Sequence, residues 1–216
     1  MTANRPCRGL EAILGQVPVI PVLEIANEAD AIPLASALAE GGLHVIEVTL
    51  RTEMALAAIE RISSVSGCVV GAGSILNPAH AEAAKSAGAV FGVSPGSSIP
   101  IIEACSSLEL PLLPGAATAS EIMHLQNQGF TFLKFFPAEA VGGHRALKAL
   151  SGPLPNVRFC PTGGINPENV ESYLALNNVV CVGGSWIAPP EAVSECRWND
   201  IRRLAAQAHS LGKISD

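Results

Sequence analysis

His44-Val45-Ile46-Glu47-Val48-Thr49-Leu50-Arg51 is a short apolar, β-branched run that carries an acid, a hydroxyl and a base at every second position. Period-two alternation places Ile46, Val48 and Leu50 on one face of a strand and Val45, Glu47, Thr49 and Arg51 on the other. Similar runs begin near Val19, Val69, Val90, Pro111, Phe132, Val157 and Asn178. Their spacing, about 21 or 25 residues, gives room for one strand, one helix and two short loops per unit.

Stretches rich in Ala, Leu and Glu fill the gaps and read as helices, for example over residues 30–40, 54–62 and 79–87. Asn77-Pro78 and Asn166-Pro167 each place a capping side chain before a proline suited to the first helical position. Thr118 followed by Glu121 reads as a capping box, and Gly41-Gly42 and Gly88 stand where left-handed helix stops are expected. Eight such units predict an α/β fold, a (β/α)8 TIM barrel forming one domain over residues 1–216, with a short N-terminal helix near Leu10–Leu14. An open doubly wound sheet is the rival. Its dinucleotide fingerprint is missing, because Gly71-Ala72-Gly73-Ser74-Ile75-Leu76 lacks the third glycine.

Composition narrows the function classes. Of the 216 residues 49% are hydrophobic, 15% charged and only 4% aromatic, which predicts a folded core built from Val, Ile, Leu and Ala. A formal charge of -6 without a Lys/Arg run disfavours nucleic acid and anionic membranes as partners. Apolar stretches are too short to span a bilayer, and Met1 to Leu10 carries Arg5 and Arg8 but no signal-length apolar run. Cys7, Cys68, Cys105, Cys160, Cys181 and Cys196 form no CxxC or Cys/His cluster and read as small buried hydrophobes in a reducing, cytoplasmic setting. His44, His80, His124, His144 and His209 show no HxH or HExxH spacing, so the expectation is no metal. There is no nucleophile elbow.

Chemistry in a barrel of this kind collects at the C-terminal strand ends. Glu47, Thr49 and Arg51 would therefore face its mouth; the competing reading is a structural ion pair. In Phe132-Leu133-Lys134-Phe135-Phe136-Pro137 the lysine shares a face with Phe132 and Phe136. An ammonium among aromatic rings is poorly solvated, which favours the neutral, nucleophilic amine, and Arg51 would add to that. The alternative is a lysine that snorkels outward or only neutralises Glu47. Gly163-Gly164 and Gly183-Gly184 end the seventh and eighth strands, where many barrels hold phosphate on backbone N–H groups.

Several segments resemble one family: Glu47-Val48-Thr49-Leu50-Arg51-Thr52, Gly71-Ala72-Gly73, Lys134-Phe135-Phe136-Pro137-Ala138-Glu139, Phe159-Cys160-Pro161-Thr162-Gly163-Gly164-Ile165 and Gly183-Gly184-Ser185-Trp186. It is the bacterial 2-keto-3-deoxy-6-phosphogluconate / 4-hydroxy-2-oxoglutarate aldolase family. The resemblance runs in order from about Pro21 to Trp186. It implies a class I aldolase with Lys134 as Schiff-base lysine, Glu47 as general acid/base and Thr162 touching the C4 hydroxyl. Arg51 would hold the substrate carboxylate, Ser74 and Pro95 would line the pyruvate pocket, and Phe136 would pack beside the lysine. Gly163, Gly164, Gly184 and Ser185 would bind phosphate. Also implied are a small-molecule keto-acid substrate, no cofactor beyond the covalent imine, a homotrimer and a place in the Entner–Doudoroff pathway. Ser74 departs from the family, where threonine is expected; the hydroxyl stays and a methyl is lost. Two other readings stand beside this one: a sugar-phosphate isomerase or epimerase using Glu47 as base, and a non-catalytic phosphosugar-binding module.

Overall fold

A computed structural model of the chain describes residues 9–212. Cys7, Arg5, Arg8 and the outermost residues of the expected 1–216 domain lie outside them. Among the described residues there are nine short strands: β1 (Val19–Leu23), β2 (Val45–Thr49), β3 (Val69–Gly73), β4 (Phe91–Val93), β5 (Leu112–Leu113), β6 (Gly115–Ala116), β7 (Phe132–Phe135), β8 (Arg158–Pro161) and β9 (Val182–Gly184). The α-helices are α1 (Leu10–Leu14), α2 (Ala31–Glu40), α3 (Ala55–Ser63), α4 (Pro78–Ser86), α5 (Ile99–Ser107), α6 (Ala119–Asn127), α7 (Gly143–Leu150), α8 (Val170–Leu174), α9 (Pro190–Ser194) and α10 (Trp198–His209).

All strand pairs are parallel. One sheet runs β5-β4-β3-β2-β1-β9 and a second runs β6-β7-β8. Parallel neighbours need a crossover, and the helices between successive strands supply it. Two further bridges, Phe159↔Val179 and Thr162↔Gly183, join the β8 region to the chain around β9. The sheets curve toward each other far enough for β2 and β7 side chains to meet.

The strand expected from Pro111 is split into β5 and β6. Pro114 separates them: it has no N–H to give a ladder, although its carbonyl accepts from the Lys134 N–H at 2.9 Å. The strand expected from Asn178 likewise contracts to one bridge at Val179 and the three residues of β9.

Helix signals mostly hold. Asn77 accepts from the His80 N–H, the Thr118/Glu121 capping box is complete, and Gly42 and Gly88 adopt positive φ. Asn166-Pro167 does not start a helix. Asn166 instead closes a local turn onto the Glu168 N–H, and α8 begins at Val170. Competing side-chain-to-backbone bonds of this kind are why asparagine marks turns as readily as caps.

The core is rich in Val, Ile, Leu and Ala, as expected, but the few aromatics are concentrated in it. Phe91, Phe130, Phe135, Phe159 and Tyr173 are among its largest fully buried side chains. Cys105, Cys160 and Cys181 are buried and Cys68 half-buried, whereas Cys196 is exposed, against the reading of every cysteine as buried. Every residue of β2 is buried, including Glu47 and Thr49. A carboxylate so enclosed needs a partner.

Candidate active site

That partner is Lys134. Its Nζ lies 3.2 Å from Glu47 Oε1, with side-chain exposures of only 7% and 4%, and 5.3 Å from the centroid of the Phe136 ring. β2 delivers the acid and β7 the amine from different sheets. The ion pair that a purely structural reading anticipates is therefore present, and it puts a nucleophile in contact with a proton acceptor.

Space for the carboxylate comes from Gly73, at the end of β3. A Cβ at that position would stand 2.2 Å from Glu47 Oε1. Any side chain there would push the acid off the lysine. The sequence contains Gly73 in a recognisable motif but gives no sign of this contact.

A cavity of ≈ 920 Å³ opens above the pair, walled in part by Thr49, Arg51, Phe136, Thr162, Gly163, Gly164 and Ser185. Lys134, Glu47, Ser74, Pro95 and Gly184 do not form its wall; the first two are buried, with the Lys134 amine against Phe136, which does. Thr49, expected to offer a hydroxyl to the mouth, donates it to the Leu23 carbonyl at 3.0 Å. Arg51 also differs from expectation. Its guanidinium is half-exposed and engages Ser74 Oγ and the Glu24 carboxylate, each at 3.4 Å, so its partner is an acid at the rim and not the lysine.

Thr162 is buried, yet its Oγ1 has no hydrogen-bond partner; a Cβ on Gly183 would approach that oxygen to 2.4 Å. A buried hydroxyl left unpaired is costly, and one beside a cavity is suited to a ligand. Ser94, next to Pro95, is the other such orphan among the described residues, and no sequence signal marks it. Gly163 and Gly164 take φ of 103° and 77°, which brings their backbone to the cavity wall without side chains. Gly184 is closely packed: a Cβ there would lie 1.9 Å from the Trp186 ring.

Behind this loop, Tyr173 donates a short hydrogen bond to Glu139. Burial, then the Glu139 bond, push the phenol well above its ordinary value, so it remains the donor. Among the described residues no three His, Cys, Asp or Glu side chains gather as a metal site, and no helix is long and apolar enough to cross a membrane.

An α/β scaffold of parallel strands with a lysine–carboxylate pair below an open cavity defines an enzyme site suited to carbonyl chemistry. Residues 10–204 match the family described as KDPG and KHG aldolase. The KHG/KDPG aldolase of Escherichia coli (strain K12) is 47% identical over 205 residues, spanning 94% of this chain and 96% of that protein. A crystal structure of KDPG aldolase from Legionella pneumophila, with pyruvate captured at low pH as a covalent carbinolamine intermediate, superposes with a TM-score of 0.89 at 46% identity, covering 92% of this chain and 97% of that one. The KDPG aldolase of Zymomonas mobilis ZM4 with 3-phosphoglycerate gives 0.90 at 42% identity, over 96% and 98%. The chain belongs to the KDPG and KHG aldolase family.

Proposed function

We propose that this protein is a class I aldolase that cleaves 2-keto-3-deoxy-6-phosphogluconate to pyruvate and glyceraldehyde 3-phosphate, and that it also acts on 4-hydroxy-2-oxoglutarate. One observation carries the reading: the buried Lys134–Glu47 contact of 3.2 Å beneath the cavity. An isomerase needs the acid but no nucleophilic amine, and a binding module needs neither. The covalent pyruvate adduct of the Legionella pneumophila relative favours the aldolase over both.

The chemistry follows from the contact. Glu47 takes the proton of the Lys134 ammonium, and the freed amine adds to the C2 ketone. The carbinolamine hydroxyl leaves as water with that proton, giving an iminium. Glu47, again a carboxylate, accepts the C4 hydroxyl proton, directly or through water. The C3–C4 bonding electrons move into the iminium, releasing the aldehyde and leaving an enamine. Glu47 returns the proton to C3, and hydrolysis frees pyruvate and the amine.

Arg51 would hold the keto-acid carboxylate by exchanging Glu24 for it, with Ser74 and Pro95 beside the pyruvate methyl group. The unpaired Thr162 hydroxyl would meet the C4 hydroxyl, and Gly163, Gly164, Gly184 and Ser185 would take the phosphate. Holding both anionic ends orients the reacting carbons. The pairing of β8 with the chain around β9, and the single residue between β5 and β6, support closure of the two sheets into one (β/α)8 barrel over residues 1–216. The same reading carries a homotrimer in the cytoplasm. Light scattering is expected to return three times the chain mass, and a monomer would overturn that element.

Borohydride reduction with pyruvate is the direct test. A pyruvyl adduct mapped to Lys134, absent from Lys134→Arg, is expected. An enzyme that turns over the substrate without such an adduct would end the aldolase reading.

A further inference from the structure

The loop after β8 is held in one orientation by three hydrogen bonds to consecutive carbonyls. The Thr162 carbonyl accepts from the Ala138 N–H at 2.8 Å, and that of Gly163 from the Glu139 N–H at 3.1 Å. The Gly164 carbonyl accepts from Asn169 Nδ2 at 3.0 Å. In a trans peptide each carbonyl points opposite to the N–H of the next residue. Fixing these three carbonyls therefore aims the N–H groups of Gly163, Gly164 and Ile165 the other way. None of those three N–H groups has a partner among the described residues, and all three residues line the cavity. Consecutive backbone N–H groups in a turn form a concavity for an anion, and Gly163 and Gly164 take the positive φ of this one.

Two of the three carbonyls are held by backbone donors; the third depends on one side chain. Asn169 occupies the N-cap position of α8, where an asparagine ordinarily accepts from its own helix, yet it makes no such capping bond. Its side chain turns back onto the loop. Nδ2 holds the Gly164 carbonyl, and Oδ1 accepts from the Asn166 N–H at 2.9 Å. Gly164 has no Cβ to resist a peptide flip, so without Asn169 its carbonyl is free to turn into the cavity. There it would face the anion, and the Ile165 N–H would be withdrawn.

We propose that Asn169 is a positioning residue for the phosphate end of the substrate, acting through the Gly164–Ile165 peptide. The proposal rests on the aldolase reading only for the identity of the phosphorylated ligand; the loop geometry stands apart from it. Asn169 touches no reacting atom.

The test compares wild type, Asn169→Ala and Asn169→Asp. The aspartate keeps the acceptor for the Asn166 N–H, and so the turn, but loses the donor to Gly164. Three quantities are read: KM and kcat for the phosphorylated sugar acid, kcat/KM for the same acid without its phosphate, and the affinity of inorganic phosphate by competition. Both variants are expected to raise KM for the phosphorylated substrate and weaken inorganic phosphate by about tenfold, the worth of one charge-assisted hydrogen bond. Turnover of the dephosphorylated acid and pyruvate trapping on Lys134 should stay within about twofold, small against that tenfold step. Equal losses on both substrates, or unchanged phosphate affinity, would overturn the role. Failure of wild type to trap pyruvate would instead remove the aldolase reading, while phosphate affinity would still decide the clamp.

Discussion

At the scale of single residues, Glu47→Gln separates proton transfer from structure. The amide keeps the shape but cannot take the ammonium proton. We expect kcat to fall by about 10²–10⁴ with folding retained, checked by steady-state rates beside circular dichroism. Gly73→Ala would place a methyl 2.2 Å from Glu47 Oε1; we expect a loss of about 1–3 kcal/mol in thermal unfolding together with impaired turnover. Cysteine reactivity follows burial. Enclosure lifts the Cys105 thiol to about 11; a hydrogen bond between Cys181 and Cys160, then burial, raises the Cys181 thiol, whereas Cys196 is exposed. Brief iodoacetamide treatment at mildly alkaline pH should label Cys196 and spare Cys105 and Cys181, as read by peptide mass mapping. Lys134 and Glu47 are legible in the sequence because a charge inside an apolar strand stands out. The close contacts of Gly73 and Asn169 are not, since they involve atoms that approach only in the folded chain.

Among the elements, α6 shows how far local rules carry. Thr118 and Glu121 satisfy each other's backbone donors, and the Ala117 and Thr118 N–H groups hold the Glu121 carboxyl below its usual range. Thr118→Ala should cost about 1 kcal/mol in a denaturant titration. The sign with pH is fixed by the lowered value: the Glu121 contribution is complete above the ordinary carboxylate range and disappears as acid protonates it, so Glu121→Gln should flatten the acid limb of the stability curve. The capping box is visible in sequence because it is closed within four residues. Asn166-Pro167 has the same letters as Asn77-Pro78 and fails, because the Asn166 side chain accepts from the Glu168 N–H two residues on and closes a turn, where Asn77 accepts from the His80 N–H and caps a helix. The split between β5 and β6 is marked by Pro114, but only the register against β7 shows that its carbonyl still serves Lys134.

For the whole molecule, strand spacing gave the parallel α/β layout, since each unit must be long enough to cross over. The aromatic content did not reveal the core's composition. Few rings are present, and six of the nine are buried as fillers among smaller aliphatics. One cooperative unfolding transition, with coincident near- and far-ultraviolet signals, is expected of a single domain; two resolved transitions would argue for separate units. Most strand pairings join neighbours in sequence, but β1 lies beside β9, so that pairing must wait for nearly the whole chain.

Pro114 has one more consequence. Between residues 112 and 116 the backbone changes allegiance, bonded to β4 before the proline and to β7 after it, with two residues on each side. Such a short double attachment is where solvent deuterium should enter earliest among the strands, well ahead of Val45–Thr49 in the middle of its sheet. Lys134 stands on the strand that this segment pairs with, so early opening here would also release one edge of the strand that carries the amine.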